Sequence, residues 1–477
     1  MTTRLSTVAG LRPDGRRGLA DRLTASAICP DEQAAVPMAR FWSWWRERRQ
    51  AHERLVRRVP LGELDGWQFD ETGLGHRSGR FFRIAGIQVR TDADPVGEWD
   101  QPIIDQPEIG ILGFLVKEIG GVVHCLVQAK VEPGNPGGLQ LSPTVQATRS
   151  NYLRVHGGAR TRYLEYFADP ARARPLVDVL QSEQNSRFLA KRNRNVVVET
   201  DEDVVVHDDF CWLTFAQLRR LLRYDNLVNM DARTVLSCVP FTGPGPAGGE
   251  DEFGAALRLS ALSRRAHHTG GELLSWLTAA KATRELTVRR IPLPAVRRWR
   301  TSRFSISHDE GRYFRVVGVD ARIGSREVTH WMQPMVEPCG LGVAAWLVRR
   351  IAGIPHVLVG ARTEAGTRDV VELAPTVQYV IDTYRQQPAS ALPPFADYLR
   401  SVPPERVRYD VRHSEEGGRF LGAVNRYLLV EVEEDFPLAV PPQFAWVTLN
   451  QLMRLVGHSY YLNVEARTLL ACANSLW

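Results

Sequence analysis

The chain has 477 residues, 44% of them hydrophobic and 24% charged, which is the composition of a water-soluble globular protein too long for one ordinary core. The net charge of +6 is dispersed apart from short groups such as Lys191-Arg192-Asn193-Arg194; this argues against a nucleic-acid footprint and suits a small anionic ligand. No apolar run reaches the roughly 18 residues of a membrane span, the N-terminus has no apolar secretory core, and six scattered cysteines without a C-x-x-C pair suit reduced thiols in a cytoplasmic protein, not a zinc site or a disulfide framework.

In chain order, residues 1–36 are predicted to be a mobile tail. Phe41, Trp44, Trp45, Leu55 and Val59 then form an apolar stripe with arginine around it, which predicts a helix over 41–59. After a break at Gly66-Trp67, the β-type run SGRFFRIAGIQVRT (78–91) predicts one or two strands. Residues 110–131 read as a hairpin, two apolar runs about Gly120-Gly121. A glycine-rich loop, EPGNPGGLQL (132–141), leads to a predicted helix opened by Ser142 and Pro143. A strand at 194–199 and helices near 213–223 and 231–237 follow. Strands with interspersed helices give an α+β fold.

The same pattern returns 232 residues later. Trp67 matches Trp299, Gly79-Arg80 matches Gly311-Arg312, and Gln101-Pro102 matches Gln333-Pro334. His124, Glu132, Pro143, Tyr152 and Glu183 match His356, Glu364, Pro375, Tyr384 and Glu415. After a two-residue insertion, Trp212 matches Trp446 and Arg233-Thr234 matches Arg467-Thr468, at an offset of 234. One register held over so many positions marks a duplicated domain. The copies are placed at 37–240 and 269–477, with a Pro/Gly-rich, acidic linker at 241–268.

Gln128 to Tyr152 carries the richest set of polar groups. Side chains alternate on a strand, so Gln128, Lys130 and Glu132 share a face, as a pocket wall or a solvated surface. On the predicted helix Val145, Arg149 and Tyr152 share one face and Gln146 and Ser150 another, and the glycine-rich loop can bring its backbone close to a ligand. His124 and His356 read as packed, hydrogen-bonded histidines, and the paired tryptophans as core. His76, with its counterpart His308, fits a turn or a pocket equally. Several polar positions occur only in the first copy: Arg149 stands opposite Ile381, Lys191 and Arg192 opposite Ala423 and Val424, Gln128 opposite Gly360, and Glu108 opposite Gly340. The working site is therefore expected in the first copy, with the second a scaffold or a lapsed pocket.

In SGRFF (78–82), QPEIGILG (106–113), QAKVEPGN (128–135), QLSPTVQATRSNY (140–152), LQSEQ (180–184), KRNRN (191–195) and NMDARTVLS (229–237) the chain resembles the NDP-hexose 2,3-dehydratases from about Phe41 onward. The resemblance implies two tandem Nudix-like domains per subunit, with mixed sheets flanked by helices, a homodimer, and a dTDP-4-keto-6-deoxyhexose substrate. It also implies a place in deoxysugar formation for glycosylated natural products such as antibiotics, with a 3-ketoreductase downstream. A ketone at C4 acidifies the C3 proton, so loss of that proton and then of the C2 hydroxyl needs a base, oxyanion donors and an acid. Glu132 is the expected base or acid, with Lys130 supporting the oxyanion, Tyr152 as a second proton-transfer group and His76 in reserve. Gln128, Gln140, Gln146, Arg149, Asn151, Lys191, Arg192 and Arg194 are expected to bind substrate, the basic ones at the diphosphate. No cofactor and no metal are expected: no G-x-G-x-x-G run joins a predicted strand to a predicted helix, as a dinucleotide fingerprint requires, and there is no glutamate-rich Nudix metal helix. Two alternatives are a Mg²⁺-dependent diphosphate-sugar hydrolase and a nucleotide-sugar-binding protein that does no C3-proton exchange.

Overall fold

The computed structural model describes residues 18–94, 96–148, 159–243, 251–385, 387 and 391–477. Each repeat contributes one large and one small sheet. In the first repeat a seven-stranded sheet is ordered Arg174–Ser182, Arg192–Glu199, Gly110–Ile119, Val122–Val131, Phe210–Thr214. The second repeat builds its equivalent from Val407–Ser414, Val424–Glu431, Gly342–Ile351, Ile354–Arg362 and Phe444–Val447. Both are mixed: Arg192–Glu199 runs parallel to Gly110–Ile119, and Val424–Glu431 parallel to Gly342–Ile351. The α+β class and the duplication are thus visible in the topology.

The hairpin over 110–131 forms as expected, but its strands pair directly only from Leu115–Ile119 to Val122–Leu126. Beyond that they splay. Leu139–Ser142 then pairs with Gln128–Val131, and Val145–Ala147 with Ile111–Gly113. Pro143 and Thr144 cross the gap. The Thr144 hydroxyl accepts from the Leu115 N–H at 2.8 Å and donates to the Leu126 carbonyl. No helix begins at Ser142. Val145–Ala147 is a strand, as its β-branched residue suits, and Pro143 falls where the chain passes from one ladder to another and no N–H is needed. The second copy repeats the wedge with Thr376, between Leu347 and Leu358.

The predicted helix over 41–59 ends early, at Ala51. Arg54–Val59 is a strand, and it pairs antiparallel with Gly318–Ile323 of the second repeat. In return Leu286–Ile291 pairs with Gly86–Thr91 of the first. Each small sheet is completed by a strand from the other repeat.

Two further stretches carry helices. The expected tail 1–36 is not free over its described part: Leu19–Ala27 is a helix whose Leu23 is fully buried. Ser26 of that helix donates to the Val123 carbonyl at 2.5 Å and accepts from the Phe215 N–H at 3.0 Å. The expected linker 241–268 likewise contains a helix, Glu252–Leu262, capped by Asp251, whose Ser260 accepts from Leu449 N–H at 2.9 Å. The acidic run that read as a linker is a helix start, where carboxylates are favoured. His124 is packed as expected, its Nε2 accepting from Ala35 N–H at 3.0 Å; His356 accepts from His267 N–H at 2.9 Å.

Met230–Ser237 and Val464–Asn474 pack against each other and join the large sheets in one continuous apolar core. Arg233 and Arg467 are almost wholly buried there. Arg233 donates to the carbonyls of Val228 and Ser414, both at 2.6 Å; Arg467 donates to those of Leu462 and Ser182. Each arginine therefore holds the strand end of the opposite repeat just before a buried glutamate, Glu415 or Glu183. No helix among the described residues is long and apolar enough to cross a membrane.

Candidate active site

The glycine-rich loop closely approaches the backbone of the other repeat. A Cβ on Gly134 would stand 1.6 Å from the Phe420 carbonyl oxygen. Gly134 N–H donates to Gly417 O at 2.8 Å, and Gly422 N–H to Gly134 O at 2.9 Å. This contact carries residues 416–419 of the second repeat to the end of the Val122–Val131 strand.

Two cavities result, sharing Thr148, Arg326, Gly418 and Arg419. The inner one, about 90 Å³, is lined among others by Lys130, Glu132, Glu183, Lys191, Asp231 and Glu416. The outer one, about 370 Å³, has an aromatic wall of Trp67, His76, Phe81, Phe82 and Trp331. Arg419 lies over the Phe82 ring at 4.3 Å, and Arg326 faces the Trp331 ring at 5.9 Å. Arg326 Nη1 also lies 3.7 Å from Glu132 Oε1.

Glu132 is held by a relay. Asn229, the N-cap of the helix Met230–Ser237, donates to Gln146 Oε1 at 3.2 Å, and Gln146 Nε2 donates to Glu132 Oε1 at 2.8 Å. Asp231 sits in the first turn of that helix. Carboxyl oxygens of Glu132, Asp231 and Glu416 all lie within 4.8 Å of one another, and among the described residues this is the one such acidic group. Three carboxylates this close cannot all be ionised without counter-charge. Burial first, and then the neighbouring acids Glu416, Glu132 and Glu183, push Asp231 far above the usual carboxylate range. Burial, then the charge of Glu132, raises Glu416 to about 8. Burial, then Arg326, lowers the Lys130 ammonium, and burial brings Lys191 down to about 8. Burial also raises Glu183. These three carboxyls come from separate segments, with Lys130 and Arg326 beside them as counter-charges.

Of the residues predicted from sequence, Lys130, Glu132, Gln146 and Lys191 meet in the inner cavity, and His76 lines the outer one. Lys130 Nζ donates to Gln146 O at 3.3 Å, and Lys191 Nζ to Glu108 O. Four others stand elsewhere. Gln128 shares the strand face of Lys130 but lies beside Phe210 and Ser142, outside both cavities. Gln140 is fully buried and accepts from Ser414 Oγ at 2.8 Å, so it braces the two repeats. Arg192 binds the Tyr460 hydroxyl, and Arg194 pairs with Asp178 at 2.7 Å. These two basic residues are thus committed to protein partners, because alternate residues of their strand point away from the cavity. Arg149, Asn151 and Tyr152 lie outside the described residues. Asp231, Glu416, Arg326 and Arg419 escaped the sequence reading; three of them come from the second repeat.

A related cavity of about 250 Å³ occurs in the second repeat, with Arg362, Glu364, Gln378 and Glu465 at the positions of Lys130, Glu132, Gln146 and Asp231. Gln184, Ser186 and Arg187 of the first repeat also line it.

Buried acids, lowered ammonium groups and arginines at the neck of an aromatic chamber are the equipment of an enzyme that moves protons on an anionic ligand. A family profile described as NDP-hexose 2,3-dehydratase matches residues 38–239 and again 270–473. Curated relatives described as dTDP-4-dehydro-6-deoxy-alpha-D-glucopyranose 2,3-dehydratase are similar over nearly the whole chain. One from Amycolatopsis orientalis is 48% identical over 98% of this chain and 96% of its own length. One from Saccharopolyspora spinosa is 48% identical over 93% and 92%, and one from Streptomyces violaceoruber 47% over 92% and 97%. The chain belongs to the NDP-hexose 2,3-dehydratase family.

Proposed function

We propose that the chain removes water across C2 and C3 of a dTDP-4-keto-6-deoxyhexose, giving a dTDP-3,4-diketo-2,6-dideoxyhexose. The observation that carries this is the order of chemistry along the joined cavities. An aromatic chamber suits a nucleobase, Arg326 and Arg419 at the neck suit a diphosphate, and the carboxyls and ammonium groups beyond suit a keto-sugar. Glu132 takes the C3 proton, and Lys130 stabilises the charge that develops on the C4 oxygen. Gln146 orients Glu132, and Lys191 supports the inner wall through Glu108. His76, which stands among Trp67, Phe81 and Ser78 in the outer chamber, stays in reserve as a proton-transfer group. Arg149 and Asn151 stay in the proposal as substrate contacts, and Tyr152 as a second proton-transfer group.

The same reading holds each repeat to be Nudix-like, supported by the mixed seven-stranded sheet with its parallel central pair. It takes the first-repeat pocket as the working one. It also takes the protein as a cytoplasmic homodimer acting in deoxysugar and antibiotic formation before a 3-ketoreductase. The test is to incubate the chain with dTDP-4-keto-6-deoxyglucose and a trapping 3-ketoreductase. A 2-deoxy sugar nucleotide is expected; recovery of unchanged substrate, or release of a sugar phosphate only with Mg²⁺, would count against it.

A further inference from the structure

We infer that Glu416, supplied by the second repeat, is the general acid that protonates the departing C2 hydroxyl in the cavity of the first. The inference rests on the dehydratase reading and adds the residue that completes it. Glu416 stands within 4.8 Å of Glu132, measured between carboxyl oxygens, and lines the inner cavity with it. It is half-buried, whereas Asp231 and Glu132 are almost wholly enclosed. Its Oε1 accepts from the Gly418 N–H at 3.2 Å, and its Oε2 has no hydrogen-bond partner in the protein.

Two neighbouring carboxyls on one wall match the stereochemistry of the reaction. In a gluco-configured ring the C3 hydrogen and the C2 hydroxyl project from the same face. A base and an acid side by side can therefore serve both, whereas an anti elimination needs groups on opposite faces, as the spacing of paired carboxyls decides outcome in glycoside hydrolysis. The protonation state agrees. Burial first, and then the neighbouring Glu132 and Glu183, favour the neutral form of Glu416, against the pull of Arg419.

The chain also contains its own comparison. At the repeat offset, Glu416 corresponds to Gln184, which lines the second cavity beside Glu364 and Glu465. There the position carries an amide, which is too weak an acid to protonate a leaving group. Gln184 instead donates to Glu415 Oε2 at 2.5 Å.

The step balances without an oxidant. Glu132 takes the C3 proton and the C–H electrons form the enolate. The enolate then forms C2=C3 as the C2–O bond breaks, and hydroxide leaves with the Glu416 proton as water. Tautomerisation of the enol, with the proton on Glu132 passing to C2 and the C3 hydroxyl proton passing to Glu416, restores both groups.

The test compares Glu416→Gln, Glu416→Asp and Glu132→Gln in D2O. Two substrates are used: dTDP-4-keto-6-deoxyglucose and its 2-deoxy-2-fluoro analogue, whose leaving fluoride needs no acid. Glu416→Gln is expected to lose dehydration by about 100-fold or more, yet to keep C3-proton exchange and fluoride release near those of the unaltered chain. Glu416→Asp should regain part of the dehydration, and Glu132→Gln should lose all three activities. Loss of fluoride release along with dehydration in Glu416→Gln, in a variant that still binds dTDP, would overturn the assignment, as would dehydration at the unaltered rate. Failure of the unaltered chain to form any 2-deoxy product would fell the dehydratase reading itself, and the assignment with it.

Discussion

Replacing Thr144 by valine keeps the volume of the wedge between the splayed strands and removes one hydroxyl. That hydroxyl serves two backbone groups, the Leu115 N–H and the Leu126 carbonyl, and all three residues are buried. Leaving a buried polar group without its partner costs about 1–3 kcal/mol, so the change should destabilise the fold by about 2–6 kcal/mol. Thr376 makes the same two contacts in the second repeat, with Leu347 and Leu358, so Thr376→Val should cost a similar amount. The two variants should part in function. Val145–Ala147 follows the first wedge and carries Gln146, which orients Glu132 and accepts from Lys130. Thermal melts and turnover at low temperature check this: similar losses of Tm are expected, with turnover impaired beyond the loss of folded protein only in Thr144→Val. A Thr144→Val protein within about 0.5 kcal/mol of the unaltered one, the range of an innocuous surface change, would refute the reasoning.

Arg326→Ala removes a guanidinium that lines both cavities, and dTDP affinity by calorimetry should fall about tenfold or more, the worth of one charge-assisted contact. Burial pushes Glu372 up to about 7, although Ser182 and Asn185 donate to it at 2.8 and 3.1 Å. Its folded state thus holds a proton that the unfolded chain releases from about pH 4.5, and its contribution to stability should be lost as pH rises through about 7. Glu372→Gln should flatten that slope in melts at pH 5, 6 and 8, and an unchanged slope would remove Glu372 as its source. Because Arg54–Val59 and Leu286–Ile291 complete each other's sheets, fragments 18–243 and 251–477 should aggregate when expressed apart and form a soluble complex when expressed together. A soluble, monomeric, folded fragment would show that the exchange is dispensable.

The duplication was legible because matched tryptophans, glycines and histidines sit at turns and core positions that both copies need. The polar strand face at Lys130 and Glu132 was legible from alternation alone. Ser142-Pro143 misled because a serine before a proline opens many helices, and nothing local shows that the hairpin beside it splays. Arg54–Val59 was hidden because its apolar stripe continues that of the preceding helix; its sheet partner lies more than 250 residues away. The cross-repeat half of the site had one readable sign. Glu416 stands opposite Gln184, a charge that only the second copy carries, and it lines the cavity built around Glu132 of the first. Looking for polar groups kept only by the first copy passes over it.

The central claim is that the cavity around Glu132 does the chemistry while the one around Glu364 does not. The direct measurement is C3-proton exchange of dTDP-4-keto-6-deoxyglucose in D2O, followed by NMR for Glu132→Gln and Glu364→Gln. Exchange should stop in the first variant and continue near the unaltered rate in the second. Exchange that survives in Glu132→Gln and vanishes in Glu364→Gln would contradict it.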